Sequence, residues 1–95
     1  MNAKHQKVKG QFVVLNDKGL HTRPSTELVK CAISFSSQIM LYYRNYTVNA
    51  KSLLGILMLA AERGAKINIE ALGADAIEAV EAITGLAKNK FHISY

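Results

Sequence analysis

Two residues in the stretch GLHTRPST, residues 19–26, have the chemistry to handle a phosphoryl group. His21 offers a nucleophilic ring nitrogen, and Arg23 a planar guanidinium fork that matches phosphate oxygens. They stand two positions apart, directly before Pro24, the one proline of the chain. Proline is accepted in the first turn of a helix, where its missing N–H costs nothing and its fixed φ suits the geometry. A helix beginning at Thr22 then puts His21 at the N-cap and points the unpaired first-turn N–H groups toward it. Those donors and the positive end of the helix dipole form an anion site. Gly19 allows the sharp entry into that turn. On these residues alone two readings stand: a histidine that simply caps the helix, or one that carries a phosphoryl group held by the helix start and Arg23.

The elements that must position this segment can be followed along the chain. KVKGQFVVL, residues 7–15, reads as a strand with Val8, Phe12 and Val14 on one side, and Gly10 weakens that side. NDKG is a turn by composition, Asp17 serving it as a turn residue. The helix from Thr22 runs to Ile33 or Ser34, with Leu28, Cys31 and Ala32 recurring on one face. Strands over 38–44 and 46–50 reverse tightly near Asn45, a residue that tolerates the left-handed conformation. SLLGILMLAAERG predicts a second helix, N-capped by Ser52 and stopped by Gly64. Within it Leu53 and Leu54 are expected to be partly exposed, and Ile56, Met58 and Leu59 buried. AKINIEA alternates as a strand with Ile67 and Ile69 inward. The last helix is capped near Asp75 and buries Ile77, Val80, Ile83 or Thr84, and Leu86. Asp75, Glu78 and Glu81 lie early in it and Lys88 and Lys90 late, as the helix dipole favours. The order is β-α-β-β-α-β-α, an α+β open-faced sandwich with a four-stranded, mostly antiparallel sheet and three helices on one face.

Composition narrows the function classes. Ninety-five residues with 49% apolar and 20% charged side chains make one globular domain, 1–95. The longest apolar run, Leu53 to Ala61, is far short of the roughly 20 residues that span a bilayer, so membrane insertion is not expected. The basic start MNAKHQKVKG lacks the apolar core of a signal peptide, and the lone Cys31 fits a reducing, cytoplasmic setting. A formal net charge of +5 suits an acidic or phosphorylated protein partner. Nucleic acid is a poorer match, because no basic run is interleaved with aromatics. His5, His92 and Cys31 show no metal-ligand spacing and are expected to be incidental.

GLHTRPSTELVKCA closely resembles the active-site segment of the histidine-containing phosphocarrier family, HPr, of the bacterial sugar phosphotransferase system. NAKSLLGILML is similar to the start of that family's regulatory helix, and His21 and Ser52 keep the family's spacing of 31 positions without a gap. Gly64 and Gly73 also fall where the family places glycines, and the likeness covers about residues 8–90. The resemblance implies a phosphocarrier that is not itself an enzyme and needs no metal or cofactor. His21 takes a phosphoryl group on Nδ1 from phosphorylated enzyme I and passes it to the A component of a sugar-specific enzyme II. Thr22, Arg23 and Pro24, with the helix-start amides, stabilise the group. Ser52 matches the serine that an ATP-dependent kinase/phosphorylase modifies in relatives from many low-GC Gram-positive bacteria, and Gly55 in SLLG fits that form. The partner-docking surface takes in Leu53, Leu54 and Leu57, with Lys30 and Lys51. A monomer is expected.

Several positions depart from the family pattern. Ser25 and Thr26 replace common alanines and are read as hydroxyls at the rim of the docking surface that tune partner choice. Lys18 adds a charge beside the site, and two tyrosines, Tyr42 and Tyr43, stand on the hairpin. The terminal extensions, including FHISY, carry no function that the sequence yields. A regulatory phosphoprotein of the same fold, acting on metabolism or transcription without sugar transport, is the second hypothesis. A small nucleic-acid-binding module is the third, and it predicts steeply salt-dependent binding.

Overall fold

A computed structural model of the chain describes residues 6–95. The elements are β1 (Lys7–Val13), α1 (Thr22–Ile33), β2 (Gln38–Tyr43), β3 (Tyr46–Asn49), α2 (Leu53–Met58), β4 (Lys66–Leu72) and α3 (Ala76–Lys88), followed by one turn at Lys90–His92. The order is the expected β-α-β-β-α-β-α. The strands form one four-stranded sheet in the order β1-β4-β2-β3, antiparallel at every pairing.

Register explains how alternation becomes a core. Ile69 of β4 lies between Gly10 of β1 and Leu41 of β2, and Ala71 lies between Val8 and Ile39. These residues therefore share one face, on which the three helices pack, while Lys9, Gln11, Asn68 and Tyr42 occupy the other. Gly10 does more than weaken its side. A Cβ there would stand 2.5 Å from Val80 Cγ1, so its absence lets α3 close onto the centre of β1.

In its elements and their packing, the structure departs from the sequence expectations at four points. Helix α2 stops at Met58, well before Gly64, because Ala60 adopts a left-handed φ of 49° and turns the chain so that Leu59 and Ala61 are buried. The same early stop leaves Met58 60% exposed where burial was expected. In α3, Ile77 is exposed, since the small residues Ala76, Ala79 and Ala87 supply the closely packed face with Val80 and Ile83. At the β2–β3 reversal, Arg44 rather than Asn45 takes the positive φ, 55°. Among the described residues, no helix is long and apolar enough to cross a membrane.

Candidate functional site at the start of α1

The approach to α1 is a tight turn. Gly19 N donates to Asn16 O at 2.9 Å, and Leu20 N to Ala61 O at 2.9 Å, which ties the turn to the segment after α2. Gly19 sits at φ +69°, and a Cβ there would run into the backbone carbonyl of Ala61. Glycine is thus required twice over, by conformation and by space. Leu20 is buried, and Ser25 is fully buried with its Oγ donating to Leu20 O at 2.9 Å. Ser25 is therefore an internal clasp of the site, not a rim hydroxyl as its position suggested. Thr26 directs its hydroxyl back to Thr22 O at 2.8 Å, a bond within the helix.

His21 stands at the N-cap of α1 with an extended backbone (φ −76°, ψ −173°), and its side chain makes no capping hydrogen bond. The capping reading fails on this point. The first bond of the helix runs from Ser25 N to His21 O at 3.1 Å. Pro24 has no N–H, so the Thr22 and Arg23 amides are the helix's free donors at its mouth. Of the two ring nitrogens, Nε2 is buried and has no hydrogen-bond partner. That leaves Nδ1 as the ring nitrogen able to meet an incoming group. Thr22 and Arg23 are exposed, and Pro24 is buried. A shallow cleft of about 180 Å³ opens alongside, lined by Thr22, Arg23, Thr26, Glu27 and Ile93.

Sequence reasoning missed one participant. The ring of Tyr95 stacks on His21, with centroids 5.4 Å apart and planes inclined by 22°. Arg23 Nη1 donates to the Tyr95 hydroxyl at 2.5 Å. Tyr95 lies in FHISY, which has no periodicity to read. The one available signal was Phe91, an apolar residue following Lys-Asn-Lys, and it is fully buried against Phe12. Asn16, read as part of a turn, is also fully buried, its Nδ2 donating to Lys90 O and Ile93 O at 2.9 and 3.0 Å.

The second set of sequence candidates lies around α2. Ser52 is its N-cap, with Oγ accepting from Gly55 N at 3.1 Å. Leu53 and Leu54 are 36% and 69% exposed, Leu57 is half-buried, and Ile56 and Leu59 are buried. Lys30 is exposed and pairs with Glu27 at 3.4 Å. Lys51 is partly held in the structure, its Nζ donating to Phe35 O at 2.7 Å. His92 and Cys31 flank an open groove with Glu27, Lys30, Leu86 and Asn89. Burial pushes the Cys31 thiol pKa up, away from reactivity. His5 lies outside the described residues.

Residues 8–89 match the family model for the PTS HPr component phosphorylation site. The chain belongs to the HPr family. HPr-C-His from Thermoanaerobacter tengcongensis is 36% identical and superposes with a TM-score of 0.87, over 93% of this chain and 99% of that one. A phosphocarrier protein HPr from Bacillus anthracis is 38% identical with a TM-score of 0.79, over 83% and 94% of the two chains. Crh of Bacillus subtilis, described as a domain-swapped dimer, is 32% identical with a TM-score of 0.70, over 78% and 85%. Family and fold together give this chain a phosphocarrier role in the phosphotransferase system.

Proposed function

We propose that the chain, as one phosphocarrier domain, accepts a phosphoryl group on His21 Nδ1 from phosphorylated enzyme I. It then delivers the group to the A component of a sugar-specific enzyme II. The observation that carries this reading is the His21 side chain itself: it stands at a helix N-cap, makes no capping bond, and has only Nε2 enclosed. Attack needs the Nδ1 lone pair, so the ring's proton resides on Nε2. The phosphorus–Nδ1 bond forms as the bond from phosphorus to the donor breaks, and that electron pair stays with the donor. The Thr22 and Arg23 amides, fixed by Pro24, lie where the new phosphoryl oxygens arrive, and the Arg23 guanidinium can leave the Tyr95 hydroxyl to join them. The chain holds the group between two partner enzymes and supplies no cofactor of its own.

Docking on enzyme I and the enzyme II component is assigned to Leu53, Leu54 and Leu57, with Lys30 and Lys51 at the margin. The exposure of Leu53, Leu54 and Met58 supports an apolar contact surface there. Ser52 is proposed as a site for an ATP-dependent kinase/phosphorylase. A phosphate of about −1.5 to −2 charge at that helix start would repel an acidic docking partner. Acid-stable label on Ser52 after incubation with that kinase, absent in Ser52→Ala, tests the assignment.

The deciding experiment for the carrier role is incubation with phosphoenolpyruvate and enzyme I. The expected result is acid-labile, base-stable label that disappears in His21→Ala, and a wild type that takes no label from competent enzyme I overturns it. The likeness to Crh favours a second reading, a regulatory phosphoprotein of the same fold. That reading predicts His21 label that no enzyme II component accepts.

A further inference from the structure

The segment after α3 is built into the site by three anchors. Lys90, Phe91 and His92 all have positive φ, at 55°, 56° and 63°. Three consecutive non-glycine residues persist in the left-handed region only when their surroundings over-determine them. Here Phe91 is fully buried and meets Phe12 edge to face at 5.8 Å. Asn16 Nδ2 bridges Lys90 O and Ile93 O, and Lys18 N donates to Tyr95 O at 3.0 Å. All three anchoring residues, Phe12, Asn16 and Lys18, lie on the chain leading into His21. The turn that presents the histidine and the strap that returns to it are therefore one hydrogen-bonded unit.

At the end of that strap Tyr95 makes two contacts with the groups assigned to phosphoryl transfer. Its ring stacks on His21, and its hydroxyl accepts from Arg23 Nη1. Lys18 Nζ lies 5.0 Å from the Tyr95 ring centroid, a cation–π contact that further holds the ring. We infer that Tyr95 is a positioning residue for phosphoryl transfer at His21. The stack fixes the imidazole plane with Nε2 inward and Nδ1 outward, and the hydroxyl keeps the Arg23 guanidinium beside the ring until phosphoryl oxygens replace it. The inference rests on the proposed phosphorylation of His21. It gives the strap a role in orientation and leaves Nδ1 uncovered, so it is not a closure over the site.

The test compares the full chain with Tyr95→Ala and Tyr95→Phe, each checked for an unchanged fold by circular dichroism. In enzyme I-dependent labelling, Tyr95→Ala is expected to lose about 10-fold in kcat with KM for the carrier within twofold, as misorientation of a bound nucleophile does. Tyr95→Phe keeps the stack and is expected to recover at least half of the wild-type kcat. Proton NMR supplies a second readout. The His21 ring-proton shifts move downfield in Tyr95→Ala as the ring current is lost, and stay in place in Tyr95→Phe. Labelling of Tyr95→Ala at the wild-type kcat, with the wild type itself labelled, overturns the inference and leaves the carrier reading standing. A kcat lost equally in both variants, with His21 shifts unmoved in Tyr95→Phe, overturns the stacking role and assigns the effect to the hydroxyl–Arg23 bond. Wild-type protein that takes no label at all overturns the carrier reading first.

Discussion

Two helices begin beside the residues of interest, and they use the same position in opposite ways. At α2 the N-cap Ser52 spends its side chain on the helix, accepting from Gly55 N at 3.1 Å. At α1 the N-cap His21 makes no such bond, and its ring is held instead by stacking on Tyr95. A helix start offers unpaired N–H groups in either case. Filling them with the cap's own oxygen gives stability, whereas leaving them open gives an anion site. The α1 start replaces the missing cap with contacts from elsewhere: Ser25 clasping Leu20 O, Gly19 fitted against Ala61, and the strap through Asn16.

His21→Ala separates the two uses most sharply. It should abolish enzyme I-dependent label altogether while lowering stability by no more than about 1 kcal/mol, the order of one aromatic stack. Thermal melts beside the labelling assay check both halves. A large drop in Tm would mean the ring is structural after all, and the contrast with Ser52 would collapse.

The glycines at the two starts should differ next most. Gly19→Ala must hold a side chain at φ +69° and against the Ala61 carbonyl. Left-handed strain of about 1–2 kcal/mol and overpacking of about 1–3 kcal/mol together predict a loss of about 2–5 kcal/mol. Gly55→Ala faces Val48 Cβ at 3.2 Å, Ser52 Oγ at 3.3 Å and Ser52 Cβ at 3.4 Å, and it gains about 1 kcal/mol of helix propensity. Denaturant melts should place it within about 1 kcal/mol of wild type. Equal losses at the two positions would show that the α1 start is no more tightly built than the α2 start.

Ser52→Ala completes the pair with a smaller effect. Losing the cap should cost about 1 kcal/mol, seen as a Tm lower by about 4–8 °C for a domain of this size. Label should still appear on His21. Ser52→Gly should lose only a few tenths of a kcal/mol, which distinguishes a lost cap from a lost contact.

The comparison also shows what the chain displays openly. The bounds of α1 were legible because Pro24 fixes the first turn and Leu28 and Ala32 mark the buried face. Strand alternation placed Ile67 and Ile69 correctly, since register carries every inward residue to one side. The end of α2 was not legible. Its apolar run continues through Ala61 without a break in pattern, and the left-handed Ala60 that ends the helix answers to tertiary burial of Leu59 and Ala61. Ile77 misled for a related reason: side-chain size argued for burial, but close approach of α3 to β1 at Gly10 favours alanines on the packed face. At the site itself, His21 and Arg23 could be named from residue types and spacing. Tyr95 could not, because a strap held by one buried asparagine and one buried phenylalanine has no periodic signature.

A third helix start sets the last and most confined test. Asp75 stands at the N-cap of α3, where it was expected to cap, yet its carboxylate makes no bond to that helix. It accepts instead from the Ser37 hydroxyl, from Ser36 N at 2.9 Å, from Ser37 N at 2.9 Å and from the Ser36 hydroxyl. These donors, the Ser37 hydroxyl foremost, hold its pKa down from 3.8 to about 2. A carboxylate whose folded pKa is depressed binds fewer protons in the folded state, so its contribution is complete above the unfolded value. It is then lost as pH falls through the folded one. Wild-type Tm should therefore decline between about pH 4 and pH 2 by an increment that Asp75→Asn lacks. Enzyme I-dependent labelling of His21 at neutral pH should persist in that variant. An identical acid profile in the two proteins would remove Asp75 as the tie between the α1–β2 loop and α3. It would leave Ser52 the one N-cap among the three starts whose side chain stabilises the fold through a hydrogen bond.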